Sequence, residues 1–379
     1  MRSGWIRVCM LLLLLGLSAG DDPSRVSAQS RQSSQPVQLI PRTKEQREQI
    51  YKAEHRISVV AQVTDSKGTP ITGLISDDFK LLDNQRPQKI SEFRELGENS
   101  FAASARVVVV LDGINDGGSA IGPLRKDLDR FLSQGSNSLR VPLSLAFVGD
   151  VPKLLFLDSV PRMSAGAAVI ETQPTTDRAS VRSSLKLLAR HSHQIDCLTA
   201  DDGASQSYCQ AEHTAGSLTA LMKILEKRRN NRAPTFLIWV GRGWPLVSER
   251  RGYYRDWLVQ LNADLRLAHV ILCAVSRDGF VISKRFPEPL PGPGTPDEDA
   301  EMQMTVQALA ISSGGLSEGK VKNLATVISK VEEEEARGFY CLSFDSAPSA
   351  KVDEYRPIQL EVKRPNAMVR TSAGYYAQP

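Results

Sequence analysis

Five consecutive apolar residues, Val107 to Leu111, run directly into Asp112, and a Gly-rich polar turn and an amphipathic stretch follow ("ARVVVVLDGINDGGSAIGPLRKDLDRFL"). A strand with one wet face alternates apolar and polar residues, so an unbroken run belongs to a strand covered on both faces, as in a parallel sheet between two helix layers. Asp112 then stands at the carboxyl end of a buried strand. Open α/β sheets hold their ligands at that edge, so the functional question is what this carboxylate holds.

The same pattern recurs through residues 104–315. Strands are expected at Val107–Leu111, Val141–Phe147, Leu154–Leu157, Thr235–Val240 and His269–Val275. Helices are expected at Ala120–Ser133, Arg178–Arg190, Ala211–Arg229, Tyr253–Leu265 and Glu301–Ser313. Alternation of this kind argues a doubly wound α/β domain, a mostly parallel sheet with helices on both faces. Residues 53–98 differ: short runs of β-formers broken by Asp-Ser-Lys-Gly and Asp-Asn turn signals read as a small β-module. Residues 316–379 read as an acidic helix, Asn323–Arg337, and a second β-module with strands at Gly338–Phe344, Pro357–Arg364 and Met368–Thr371. Residues 29–52, rich in Ser, Gln, Pro and Arg without periodicity, form a linker.

At the N-terminus, Arg2 and Arg7 precede an apolar run, Val8 to Leu17, about ten residues long where a spanning helix needs ~20. It reads as a signal peptide cut after Ala19, Gly20 or Ala28, the last giving residues 1–28, with an uncleaved anchor as the competing reading. No later segment is apolar and long enough to anchor the chain, so the expectation is an exported protein, periplasmic or extracellular. Export makes a disulfide between Cys197 and Cys209 the expected state of the polar stretch that carries them, whereas Cys273 and Cys341 lie in apolar strands and read as buried thiols. The formal charge of +4 is small for 379 residues, and basic side chains are interspersed with acidic ones. Nothing in it suggests a nucleic-acid partner.

Six stretches in order carry a resemblance: "ISVVAQVTDSKGTPITGLISDDFKLLDNQRPQKI", "RVVVVLDGIND", "FLIWVGRGWPL", "AVSRDG", "LAISSGG" and "YRPIQLEVKRPNAMVRTSAGYYA". Together they resemble the exported von Willebrand factor A-related proteins of Acidobacteria. The resemblance implies a von Willebrand A-like α/β domain between β-rich flanks, and no established enzymatic activity. It also implies a metal-ion-dependent adhesion site: Asp-x-Ser-x-Ser after the first strand, a Thr from a later loop, and an Asp after the fourth strand. Such oxygens suit Mg²⁺, which prefers octahedral oxygen ligands.

The residues depart from that pattern. Asp112 matches, but Ile114 stands at the first Ser and Asp116 at the second, with Asn115 between them. After Thr235–Val240 comes Gly241-Arg242-Gly243-Trp244, with a cation where an acid is expected. In one reading Asp112 and Asp116 still hold Mg²⁺; in the other Arg242 pairs with Asp112 in the ion's place. The second is the expectation, because an oxygen is lost and a positive charge gained. Trp244 and Tyr254, among the arginines of "GRGWPLVSERRGYYRDW", add candidate contacts of a type enriched at protein interfaces.

Catalysis finds little support. Neither a phosphate-binding Gly-rich loop nor a nucleophile elbow is present, and a haloacid-dehalogenase-like use of Asp112 would need an acid where Ile114 stands. The expected function is therefore a non-catalytic binding protein whose ligand is a protein or cell-envelope component, held at the sheet's carboxyl edge by Asp112, Asn115, Asp116, Arg242, Trp244 and Tyr254. The alternative is a metal-dependent hydrolase or phosphotransferase using Asp112.

Overall fold

Alternate side chains of the unbroken apolar strands enter two different cores. Val107, Val109 and Leu111 pack with Phe236, Ile238 and Val240 on one face, while Val108 and Val110 pack with Leu237 and Trp239 on the other. The structure is a computed structural model describing residues 56–96, 106–114, 117–150, 167–188, 203–229, 234–241, 243–244, 251–276, 306–319, 321, 323–332, 338–377 and 379.

The strands concerned are β5 (Arg106–Asp112), β6 (Ser138–Asp150), β9 (Thr235–Val240) and β10 (Val270–Val275). They run parallel, with β5 between β6 and β9. The two-residue β11 (Ser317–Glu318) continues the parallel side, while β7 (Ala167–Glu171) and β8 (Thr175–Asp177) pair antiparallel with β6. Helices α1 (Gly117–Ser133), α2 (Arg178–Leu188) and α6 (Leu324–Lys330) cover one face through Leu128, Leu185 and Ile328. On the other face, α3 (Gly203–Glu226), α4 (Arg251–Leu267) and α5 (Val306–Ser312) contribute Leu221, Trp257 and Leu309. Fully burying each such side chain contributes about 1.5–3 kcal/mol. The fold is thus mixed α/β with a mostly parallel sheet. The expected strand Leu154–Leu157 lies outside the described residues, and α3 begins at Gly203 rather than Ala211.

The two flanking strand groups differ from the sequence reading, which separates residues 53–98 from 316–379. The first group comprises β1 (Arg56–Thr64), β2 (Phe79–Asp83), β3 (Arg86–Gln88) and β4 (Glu92–Leu96). The second comprises β12 (Phe339–Asp345), β13 (Glu354–Val362), β14 (Met368–Thr371) and β15 (Gly374–Ala377). They interleave in two antiparallel sheets, ordered β14-β1-β12-β4 and β15-β13-β2-β3. One core joins both: Ile57, Val59, Phe79, Leu81, Tyr340, Phe344, Ile358 and Tyr375. The result is one β-sandwich sewn from both ends of the described chain, with the α/β domain inserted between its halves. Phe339 meets Phe236 edge-on at 5.3 Å, so the sandwich also packs on the α/β core.

A polar knot crosses the sandwich. Asp83, at the end of β2, is 3% exposed; its Oδ2 accepts from the Tyr375 hydroxyl at 3.0 Å and lies 3.9 Å from Arg356 Nη1, while Oδ1 has no hydrogen-bond partner. Burial pushes this carboxyl above its usual range, against the opposing pull of Tyr375 and Arg356.

Candidate functional site

Asp112 closes β5 and is completely buried. The chain turns at once: Gly113 N–H donates to the Val148 carbonyl at 2.8 Å, and a Cβ on Gly113 would stand 2.6 Å from the Phe147 ring. Only glycine permits so close a pass, and the pass holds the strand end rigid.

Inside that turn the carboxylate is engaged by protein groups. Ser217 Oγ, on α3, donates to Asp112 Oδ2 at 2.7 Å, and Trp244 Nε1 donates to Ser217 Oγ at 2.8 Å. The indole N–H can only donate, so Ser217 accepts from Trp244 and commits its own proton to Asp112. All three residues are at most 1% exposed. A charge-assisted bond in such surroundings is about twice as strong as a neutral one.

Ile114 is 3% exposed and belongs to the core that contains Val110, Ala146, Leu218, Trp239 and Trp244. An apolar side chain therefore fills the position where a metal ligand would need an oxygen. Among the described residues this point offers one carboxylate, bonded to a serine, beside an isoleucine, where a hard dication wants six oxygens. Among the described residues no three His, Cys, Asp or Glu side chains converge on a common point.

Of the expected site residues, the structure brings Asp112 and Trp244 together through Ser217. Trp244 does so as a core residue, 1% exposed and tilted against Trp239 at 5.6 Å, which corrects its reading as a surface contact. A large ring beside a buried strand end is worth more as packing than as an exposed anchor. Asn115, Asp116 and Arg242 lie outside the described residues, as does Cys197. Tyr254 lies on α4, with its side chain outside the described set. Cys209 falls within α3 rather than in the polar loop expected for it, and its side chain and pairing also lie outside that set. Cys273 is buried and outside any disulfide; Cys341 is likewise not disulfide-bonded and is half-buried, with its thiol pushed up by burial.

Ser217 is the residue sequence reasoning missed. It shares a helix stripe with Leu221 and Leu225 at spacings of four, all buried. A hydroxyl on a buried stripe must find a partner, and that spacing was the available signal.

The chain matches no family model and no curated protein. Among solved structures, the manganese-loaded TRAP protein of Plasmodium vivax aligns at 12% identity and a TM-score of 0.33, over 78% of this chain and 97% of that one. Proximal thread matrix protein 1 from the mussel byssus aligns at 9% identity and 0.29, over 71% of this chain and 49% of that one. The pilus adhesin SpaC of Lactobacillus rhamnosus GG aligns at 9% identity and 0.35, over 82% of this chain. The chain spans about half the length of these last two. Likeness at this level supports no conclusion about function.

Proposed function

We propose that this chain is an exported, non-catalytic binding protein with a von Willebrand A-like domain. It engages a protein or cell-envelope ligand through the loops at the carboxyl edge of its central sheet, without a metal ion. The observation that carries this reading is the buried bond between Asp112 and Ser217, with Ile114 in the core beside it. A carboxylate so held acts as a structural strut: it is completely buried and a donated hydrogen bond from Ser217 fixes its geometry. Recognition then falls to the loops that follow β5 and β9.

The experiment joins binding to metal dependence. Full-length protein carrying a photo-crosslinker at Asn115 is incubated with native envelope, with and without chelator, and melted with and without millimolar Mg²⁺. The proposal expects crosslinks to one specific envelope component, unchanged by chelator, and no thermal stabilisation by the ion. A melting shift of several degrees with Mg²⁺ that Asp112→Asn abolishes would overturn it, because a ligand of the native state must raise stability with saturation. Metal-dependent hydrolysis of phosphoesters would overturn it as well.

A further inference from the structure

The guanidinium beside Asp83 has no donor left for it. Arg356 Nη1 donates to the Ala347 carbonyl at 2.6 Å and to Ser346 Oγ at 3.2 Å, Nη2 to Glu354 Oε2 at 3.0 Å and to the Pro348 carbonyl at 3.2 Å, and Nε to Glu354 Oε2 at 3.2 Å. Arginine carries five N–H groups, and these bonds use them all. Asp83 Oδ2, 3.9 Å away, is left with the Tyr375 hydroxyl, and Oδ1 has no hydrogen-bond partner among the described residues. A buried ionised carboxylate needs several donors, whereas a buried carboxylic acid carries no charge to solvate.

The hydroxyls next to Asp83 can serve either state. Ser346 Oγ lies 2.6 Å from the Tyr375 hydroxyl, with either group able to donate, and 3.1 Å from the Ala347 carbonyl. With Asp83 neutral, its proton goes to Tyr375, Tyr375 donates to Ser346, and Ser346 donates to Ala347. With Asp83 ionised the order reverses: Ser346 donates to Tyr375 and Tyr375 to Oδ2, so Ala347 loses one donor while Oδ1 gains none. A single proton passes to solvent, and the hydroxyl protons only rotate.

Each neighbouring element bears on this titration. Burial is the largest influence and raises the carboxyl; Tyr375 of β15, Arg356 of β13 and Arg86 of β3 pull it down, and Glu354 of β13 pushes it up. The element with most to lose is β15, a four-residue strand at the edge of its sheet, because short edge strands open at little cost. Its consecutive tyrosines enter different cores. Tyr375 packs in the sandwich, and Tyr376 joins Trp257 and Leu309 on the α/β side.

We propose that Asp83 is a proton-operated latch on β15: neutral, it holds Tyr375 and ties the strand across β13 to β2; ionised, it takes up water at Oδ1 and lets the strand open, drawing Tyr375 and Tyr376 from their two cores. The latch shares no residue with the carboxyl edge of the central sheet, so its test leaves the binding proposal untouched.

Native-state hydrogen exchange of the full-length protein at about pH 4.5 and about pH 7, corrected for the intrinsic pH dependence of amide exchange, reads each strand separately. Protection of Gly374–Ala377 should fall about fivefold or more as the pH rises, because stability supplied by a carboxyl with a raised folded-state pKa is lost above that value, while Thr235–Val240 changes less than about twofold. Asp83→Asn should flatten the response of β15. Tyr375→Phe removes the hydroxyl but keeps the ring, so protection at the lower pH should already stand near the level of the higher one; this variant carries the test if Asp83→Asn does not fold. Carbon-13 NMR of the Asp83 carboxyl follows the titration itself in the wild type. Equal protection of β15 at both pH values, a fall shared equally by β9, a folded Asp83→Asn or Tyr375→Phe that keeps the wild-type response, or an Asp83 carboxyl titrating in the ordinary aspartate range would overturn the proposal.

Discussion

Ser217 accepts from one buried group and donates to another, so its removal has two costs. Ser217→Ala should destabilise the protein by about 2–3 kcal/mol, since it removes a buried hydrogen bond to the Asp112 carboxylate and the acceptor of the Trp244 N–H together. Trp244→Phe keeps most of the ring packing and removes one neutral donor, so about 1 kcal/mol is expected. Urea unfolding of both variants and of the double variant measures the coupling. Asp83 makes a prediction of opposite character. Burial raises its folded-state pKa above the unfolded value, so its contribution is fully present below pH ~4 and is lost as pH rises through the folded pKa. Asp83→Asn removes that loss, and its Tm relative to wild type should therefore climb as pH is raised from 4 to 7. A difference that stays flat or falls would contradict the assignment. At this scale the sequence revealed Asp112, whose place follows from the apolar run before it. It did not reveal Ser217, which reaches Asp112 across 105 positions, nor that Trp244 turns inward.

Among elements, the central strands were legible because covering both faces leaves a local mark, the unbroken apolar run. Thr235–Val240 emerges with the same bounds in both readings. β7, β8 and β15 were not legible: each is short, and the antiparallel edge strands carry no run of their own. Two glycines test how tightly these elements are fitted. A Cβ on Gly315, between α5 and β11, would lie 1.8 Å from the Leu272 carbonyl oxygen of β10, so both backbones would have to separate. Gly315→Ala should cost more than ~3 kcal/mol or prevent folding. Gly122, inside α1 and just before Pro123, has no other element within 4 Å of its would-be Cβ. Gly122→Ala should instead stay within about 1 kcal/mol of wild type, because its gain in helix propensity is offset by the new Cβ meeting Pro123, and thermal melting should show a large loss for the first variant and a small shift for the second.

For the molecule as a whole, the division of the flanks into two β-modules misses the pairing, because local sequence states that a segment is a strand but not which strand it joins. Arg56 faces Asp345 across the β1–β12 ladder, and Ser58 reaches Ser343 over 285 positions. Ending the chain at Arg337 would remove β12 to β15 and leave Ile57, Val59, Phe79 and Leu81 without their opposing layer. The truncated protein should aggregate, or lose residues 56–96 to limited proteolysis. A soluble product with the wild-type Tm would show that the sandwich is not part of the cooperative unit. The interleaving also decides how the molecule bears tension. The described fold begins at β1 and ends at β15, so a pull between its ends is carried by the sandwich, whose ladders short-circuit the intervening α/β domain. The inserted domain feels no load until those ladders yield, as a purse stays closed while its drawstring holds.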